Sequence, residues 1–214
     1  MTRISYRILT GIEALGLTGY IAWYIWRLQA TKPNSWIVFL VWLMVSMVVH
    51  RDTPKTLGWR ADNLWPATRQ GLPIFVLFVF GAGAVALWSG AFHNFPPHLI
   101  QMRHALNYAA FCLLQQVALN SYLTNRLLYS FDEARLPTAL LAGTVFAALH
   151  WPNPVLVPLT FIGGVTMSWL FARQRNIIPL AAGQAVVGTL VWWAFPVAWH
   201  HGMRVGPGFY TFHR

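Results

Sequence analysis

The chain has 214 residues, of which 57% are hydrophobic and 9% charged, and a formal net charge of +10. Soluble domains carry about 25% charged and roughly 45–50% apolar residues, so an ordinary water-soluble globule is excluded and lipid becomes the expected solvent. The basic residues sit at the ends of apolar runs, where they act as topogenic and anionic-headgroup-binding charges; nucleic acid is excluded as a partner on that ground.

In chain order, the apolar runs predict about seven spans, at roughly 5–27, 36–50, 72–92, 104–125, 137–150, 156–173 and 177–199. Leu72 to Ala91 holds no ionisable residue, and a run of about 20 such residues crosses a bilayer as a helix. The first span starts directly after Met1-Thr2-Arg3-Ile4-Ser5-Tyr6-Arg7 and lacks a small-residue cleavage site, so it is expected to be retained. Span 36–50 (WIVFLVWLMVSMVVH) is short, as is 137–150, which Trp151-Pro152-Asn153-Pro154 ends. No alternating period suggests a β-barrel. The expected fold is therefore an all-α, polytopic transmembrane bundle forming one domain over 1–214. Its core lies at 100–195, and a Gly/Pro-rich irregular tail, a possible docking element, follows at 200–214.

Ten basic residues, including Arg7, Arg51, Lys55, Arg126 and Arg175, fall on one side of this topology, and Arg27, Lys32, Arg103, Arg204 and Arg214 on the other. The positive-inside rule puts the N-terminus in the cytoplasm and suits a bacterial inner membrane. The 12 Trp residues suit interfacial belts. Cys112 is alone, which leaves no intrachain disulfide.

Ionisable groups inside spans are costly and mark functional candidates. Glu13 is the single acid within a span; His104 and His150 lie near span ends. In the fourth span, Gln116 and Asn120 are four apart on one helix face, Thr124 extends that face, and Gln115 lies about 100° round from Gln116. Such amides must meet other helices or a wet cavity, because an unpaired amide in hydrocarbon is unfavourable. Glu13 is expected in an ion pair or an amide contact, or in a rebuilt site with His150.

These residues fall into a frame. Gln115-Gln116-x-x-x-Asn120, Phe146-x-x-x-His150 and Gln184-x-x-x-Gly188 follow one another across 100–195, with Phe161 to Arg173 and Ile177-Ile178-Pro179 between the second and third. The chain thereby resembles the CAAX protease and bacteriocin-processing family of intramembrane metalloproteases. Its motifs read Glu-Glu-x-x-x-Arg, Phe-x-x-x-His and His-x-x-x-Asn/Asp. The resemblance implies a zinc-linked peptidase in which a Glu activates water while His and Asn steady the oxyanion. Here Phe146 and His150 match. Gln115, Gln116, Asn120, Gln184 and Gly188 stand where the Glu pair, the Arg, the second His and the Asn or Asp would be.

An amide cannot act as general base, and a catalytic zinc needs three ligands of the His, Asp, Glu or Cys type. No catalytic residue and no zinc are therefore expected. His150 stays as a helix-ending structural group, as a remnant bonded to Gln115 or Gln184, or as a weak metal or axial pigment ligand. The expected role is binding: an accessory or assembly subunit among other membrane chains. The alternatives are an active peptidase with a departed site, and a lipid-, quinone- or carotenoid-binding subunit.

Overall fold

A computed structural model of the protein describes residues 3–91 and 99–212, and among these it is helical with no strand. Helix α1, Arg3–Trp23, runs into a π-helical turn, Tyr24–Leu28. Helix α2 is Trp36–Val49, α3 is the single turn Pro54–Leu57, and α4 is Leu64–Ser89. Helix α5, Leu99–Gln116, passes through a π-helical segment, Val117–Thr124, into α6, Asn125–Ser130. Helices α7, Arg135–Ala148, α8, Leu156–Gln174, and α9, Ile178–Ala194, complete the bundle. The short helices α10, Val197–His200, and α11, Pro207–Tyr210, follow.

The fold class is as the composition requires, but the span count differs. Among the described residues, three helical stretches are long and apolar enough to cross a bilayer: Ile4–Leu28, Leu64–Ser89 and Leu156–Gln174. A fourth arises if Ile178–Ala194 and Val197–Met203, bent by 115°, form one broken span. The stretches Pro33–Val49 and Arg135–Ala148 are apolar but short. The fourth predicted span begins earlier and carries on to Ser130 through its π-helical segment, and the polar groups along it lower its hydropathy. Helix α4 also starts at Leu64, eight residues before the span predicted at 72–92.

Helix α7 lies along α8, α4 and α5 along α9, and α1 along α6. Small residues allow the closest approach: a Cβ on Gly143 would stand 2.6 Å from the Val165 backbone nitrogen and 3.0 Å from the Phe161 carbonyl. Such glycines let helix backbones touch where lipid supplies no hydrophobic drive for association. Leu17, Leu119, Tyr122, Phe146, Met167 and Phe171 belong to the main buried cluster, so α1, the π-helical segment, α7 and α8 share one core. The stretch after α2 is tucked in: the Ile177 backbone N–H donates to the Gly58 carbonyl, and Asn63 donates to the Gln174 carbonyl.

The C-terminal segment also folds back onto the bundle. Buried Asn153 accepts from the Val155 and Leu156 backbone N–H groups at the start of α8. Its Nδ2 donates to the carbonyls of His200 and Arg204. The Gly206 N–H donates to the Trp151 carbonyl, and Gly206 takes φ +55°, a conformation suited to glycine.

Candidate functional site

The site forms where the π-helical segment faces α7 and α8 and the end of α5 faces α9. In a π-helix the bonds run to i+5, and such segments recur at functional sites; here Thr124 Oγ1 donates to the Leu119 carbonyl, five residues back, and to Ser168 Oγ at 3.0 Å. Gln116 and Asn120 are fully buried. Asn120 Nδ2 donates to Gln116 Oε1 at 2.5 Å, Gln116 Nε2 donates to Gln184 Oε1 at 2.6 Å, and Gln184 Nε2 donates to Gln115 Oε1 at 2.7 Å. Four of the aligned residues therefore form one amide chain across α5, the π-helical segment and α9. Its direction is fixed by Met167, whose sulfur lies 2.9 Å from Gln116 Nε2. The reversed chain would turn the Gln116 carbonyl oxygen against that sulfur.

His150 sits just beyond α7, with its Nδ1 2.6 Å from the Phe146 carbonyl and its ring edge-on to Phe146 at 4.7 Å. A carbonyl only accepts, so Nδ1 carries the proton and neutral imidazole keeps Nε2 as an acceptor. Gln115, His150 and Gln184 line a cavity of about 1250 Å³, whose walls are otherwise largely apolar and aromatic. Gly188 lies on the same cavity, and Tyr108 reaches across from α5 to cover it: a Cβ at 188 would fall 2.1 Å from the Tyr108 hydroxyl oxygen. An Asn or Asp at 188 does not fit this arrangement.

Residues 103–190 match the family model described as type II CAAX prenyl endopeptidase Rce1-like. This segment is Rce1-like. All seven aligned positions, from Gln115 to Gly188, lie within the match, and with its apolar helices the chain is an integral membrane protein. No curated protein and no solved structure matches the chain.

A family zinc does not fit the groups present in the Rce1-like segment. The amides of Gln115, Gln116, Asn120 and Gln184 are engaged with one another, and they offer neither a thiolate, an imidazole nor a carboxylate. Among the described residues no three His, Cys, Asp or Glu side chains gather. Among the described residues, neutral His150 keeps Nε2 without a hydrogen-bond partner and belongs to no group of three such ligands. His200 uses both ring nitrogens within the chain, accepting from the Met203 N–H and facing the Phe195 carbonyl, while His201 stacks on Phe209 at 4.0 Å.

Glu13 does not rebuild the site. Its carboxylate lies 2.8 Å from His50 Nε2 and accepts from the Tyr122 hydroxyl at 3.2 Å, so it pairs with α2 and not with His150. His50 also meets the Tyr6 hydroxyl at 3.0 Å. Beside this group the Arg126 guanidinium bonds Ser46 and forms a buried 2.6 Å ion pair with Asp52. His104 lies in α5 ahead of the first described side chain, Ala105.

Sequence reasoning missed His50 as the partner of Glu13, and also Met167 and Tyr108 at the site. The first and second are contacts between distant elements with no local pattern. The third had one faint signal, a large aromatic and a glycine on helices that turn out to face each other.

Proposed function

We propose that this Rce1-like membrane protein has lost peptidase activity and acts by binding. The observation that carries the proposal is the amide chain Asn120–Gln116–Gln184–Gln115, which ties the family's catalytic positions together in mutual hydrogen bonds. Hydrolysis needs a group that takes a proton from water near neutral pH; none of the four linked amides is such a group, and among the described residues the imidazole at their edge, His150, is held by the Phe146 carbonyl and not by a carboxylate. A binding site makes different demands, namely a concave, mostly apolar space with a few convergent polar groups. The cavity bounded by Gln115, His150 and Gln184 meets those demands.

The chain then serves a membrane complex as an accessory or assembly subunit, with a lipid-soluble molecule held in the bundle. That second component of the reading is favoured by the cavity itself, whose volume exceeds the roughly 300–1,000 Å³ of pockets that take drug-sized ligands. In the same reading the basic ends face anionic headgroups in a bacterial inner membrane, with the N-terminus cytoplasmic. An active peptidase would require a base supplied from outside the amide chain.

The test is a native pull-down of the full chain from its own membranes, with mass analysis of co-purified chains, lipids and metals. Recovery with stoichiometric partner chains and retained lipid is expected. Recovery as a lone, zinc-loaded chain contradicts the proposal.

A further inference from the structure

We infer that the cavity takes an uncharged long-chain lipid whose head both accepts and donates hydrogen bonds, as in a monoacylglycerol. The inference rests on the binding reading above and adds the chemistry of the ligand.

Charge comes first. Among the described residues, no Asp, Glu, Lys or Arg lines the cavity. An ionised head placed there would lose its hydration without gaining a counter-charge, which costs far more than moving a neutral polar group. Fatty acids, phospholipid phosphates and amines are disfavoured on that ground. Two ionised groups on the elements around it are paired: Glu13 with His50, and Arg126 with Asp52.

Hydrogen-bond direction comes second. Most hydroxyls on the cavity wall point their protons into the protein. Tyr20 donates to the Ser35 carbonyl, Tyr24 to Pro33, Thr18 to Ala14, Thr160 to Leu156, and Tyr122 to Glu13. The amide chain runs one way, each amide donating to the next, and ends at Gln115, whose oxygen accepts from Gln184. The N–H groups at that end have no partner among the described residues, so the chain terminates at the cavity as a donor. His150 offers the opposite polarity: its Nδ1–H is used by the Phe146 carbonyl, which leaves Nε2 as an acceptor. A donor end and an acceptor facing each other's space in a largely apolar wall call for an uncharged head that both accepts and donates a hydrogen bond, which hydroxyl and ester groups supply. The remaining wall, built from side chains such as Phe78, Phe111, Leu159 and Leu190, suits an alkyl tail.

The experiment measures binding of four probes to the purified full chain in detergent: monoolein, oleate, oleylamine and 1-octadecene. They share one chain length and differ in head charge and hydrogen-bonding capacity. Monoolein is expected to bind about ten-fold more tightly than the other three, the equivalent of roughly one net hydrogen bond. Gln115→Leu and His150→Phe should each lower the monoolein-to-octadecene preference several-fold. Val187→Trp, which fills the apolar wall, should weaken both probes together and shows that the preference is read inside this cavity. Oleate or oleylamine binding as tightly as monoolein overturns the inference and leaves the binding reading standing. So does a preference unchanged in both Gln115→Leu and His150→Phe. Failure of all four probes to bind overturns both.

Discussion

Gly188→Asn restores the family's residue at the third motif, and the structure predicts that it destabilises this protein. A Cβ at 188 falls 2.1 Å from the Tyr108 hydroxyl oxygen and 2.8 Å from Tyr108 Cε1 and Cζ. Ordinary contact requires the ring to withdraw by more than 1 Å, roughly the difference from the 3.5–4.0 Å optimum for carbon pairs. The cavity gives the ring somewhere to go, so the cost belongs at the lower end of the 1–3 kcal/mol seen for overpacking, about 1–2 kcal/mol. For a chain of this size that lowers the melting temperature by about 2–8 °C. Tyr108→Ala removes the clashing atoms, so Gly188→Asn should cost almost nothing in that background. The coupling between the two changes should then equal most of the single-variant cost. The assay is thermal unfolding of the four proteins in one detergent. An unaltered melting temperature in Gly188→Asn, or strict additivity in the double variant, would refute the claim that Tyr108 occupies the place of the third-motif side chain.

Three further outcomes follow from the same geometry. Gln116→Leu leaves the Asn120 amide buried with no acceptor for its Nδ2, beside an Oδ1 that already lacks a partner; unfolding should show a loss of about 1–3 kcal/mol. Asp52→Ala strands the Arg126 guanidinium, which is 3% exposed, and should cost about 3–5 kcal/mol, read as a melting shift larger than that of Arg60→Ala at the exposed Arg60–Asp62 pair. Gly143→Ala drives a Cβ to within 2.6 Å of the Val165 backbone and should cost about 1–3 kcal/mol by forcing α7 from α8, with Gly81→Ala, which meets open space, as the neutral control.

The parts of the fold visible in the sequence are those with a local cause. Helix α7 ends where Pro152 and Pro154 require it, and α9 opens with Pro179 in its first turn, where a missing N–H is harmless. The frame of the three motifs fell wholly within the Rce1-like match because that pattern rests on residue type and interval. The π-helical segment could not be seen, since an i+5 register leaves no periodic signature over eight residues. It nonetheless decides the site, by carrying Asn120 and Thr124 on from Gln116 toward α8. The single acid of the first span was visible, but its partner His50 lies 37 residues away, just beyond the end of α2. Likewise the amide residues could be named from sequence, whereas the direction of their hydrogen bonds depends on the sulfur of Met167, 51 residues along from Gln116.

The central claim is that the site built on the amide chain binds and does not cut. It is tested most directly by incubating the purified full chain with a prenylated CAAX-type peptide and added zinc, and following cleavage by mass spectrometry beside His150→Ala. The account predicts no product above the enzyme-free blank in either protein. Zinc-dependent cleavage by the native chain that disappears in His150→Ala would contradict it.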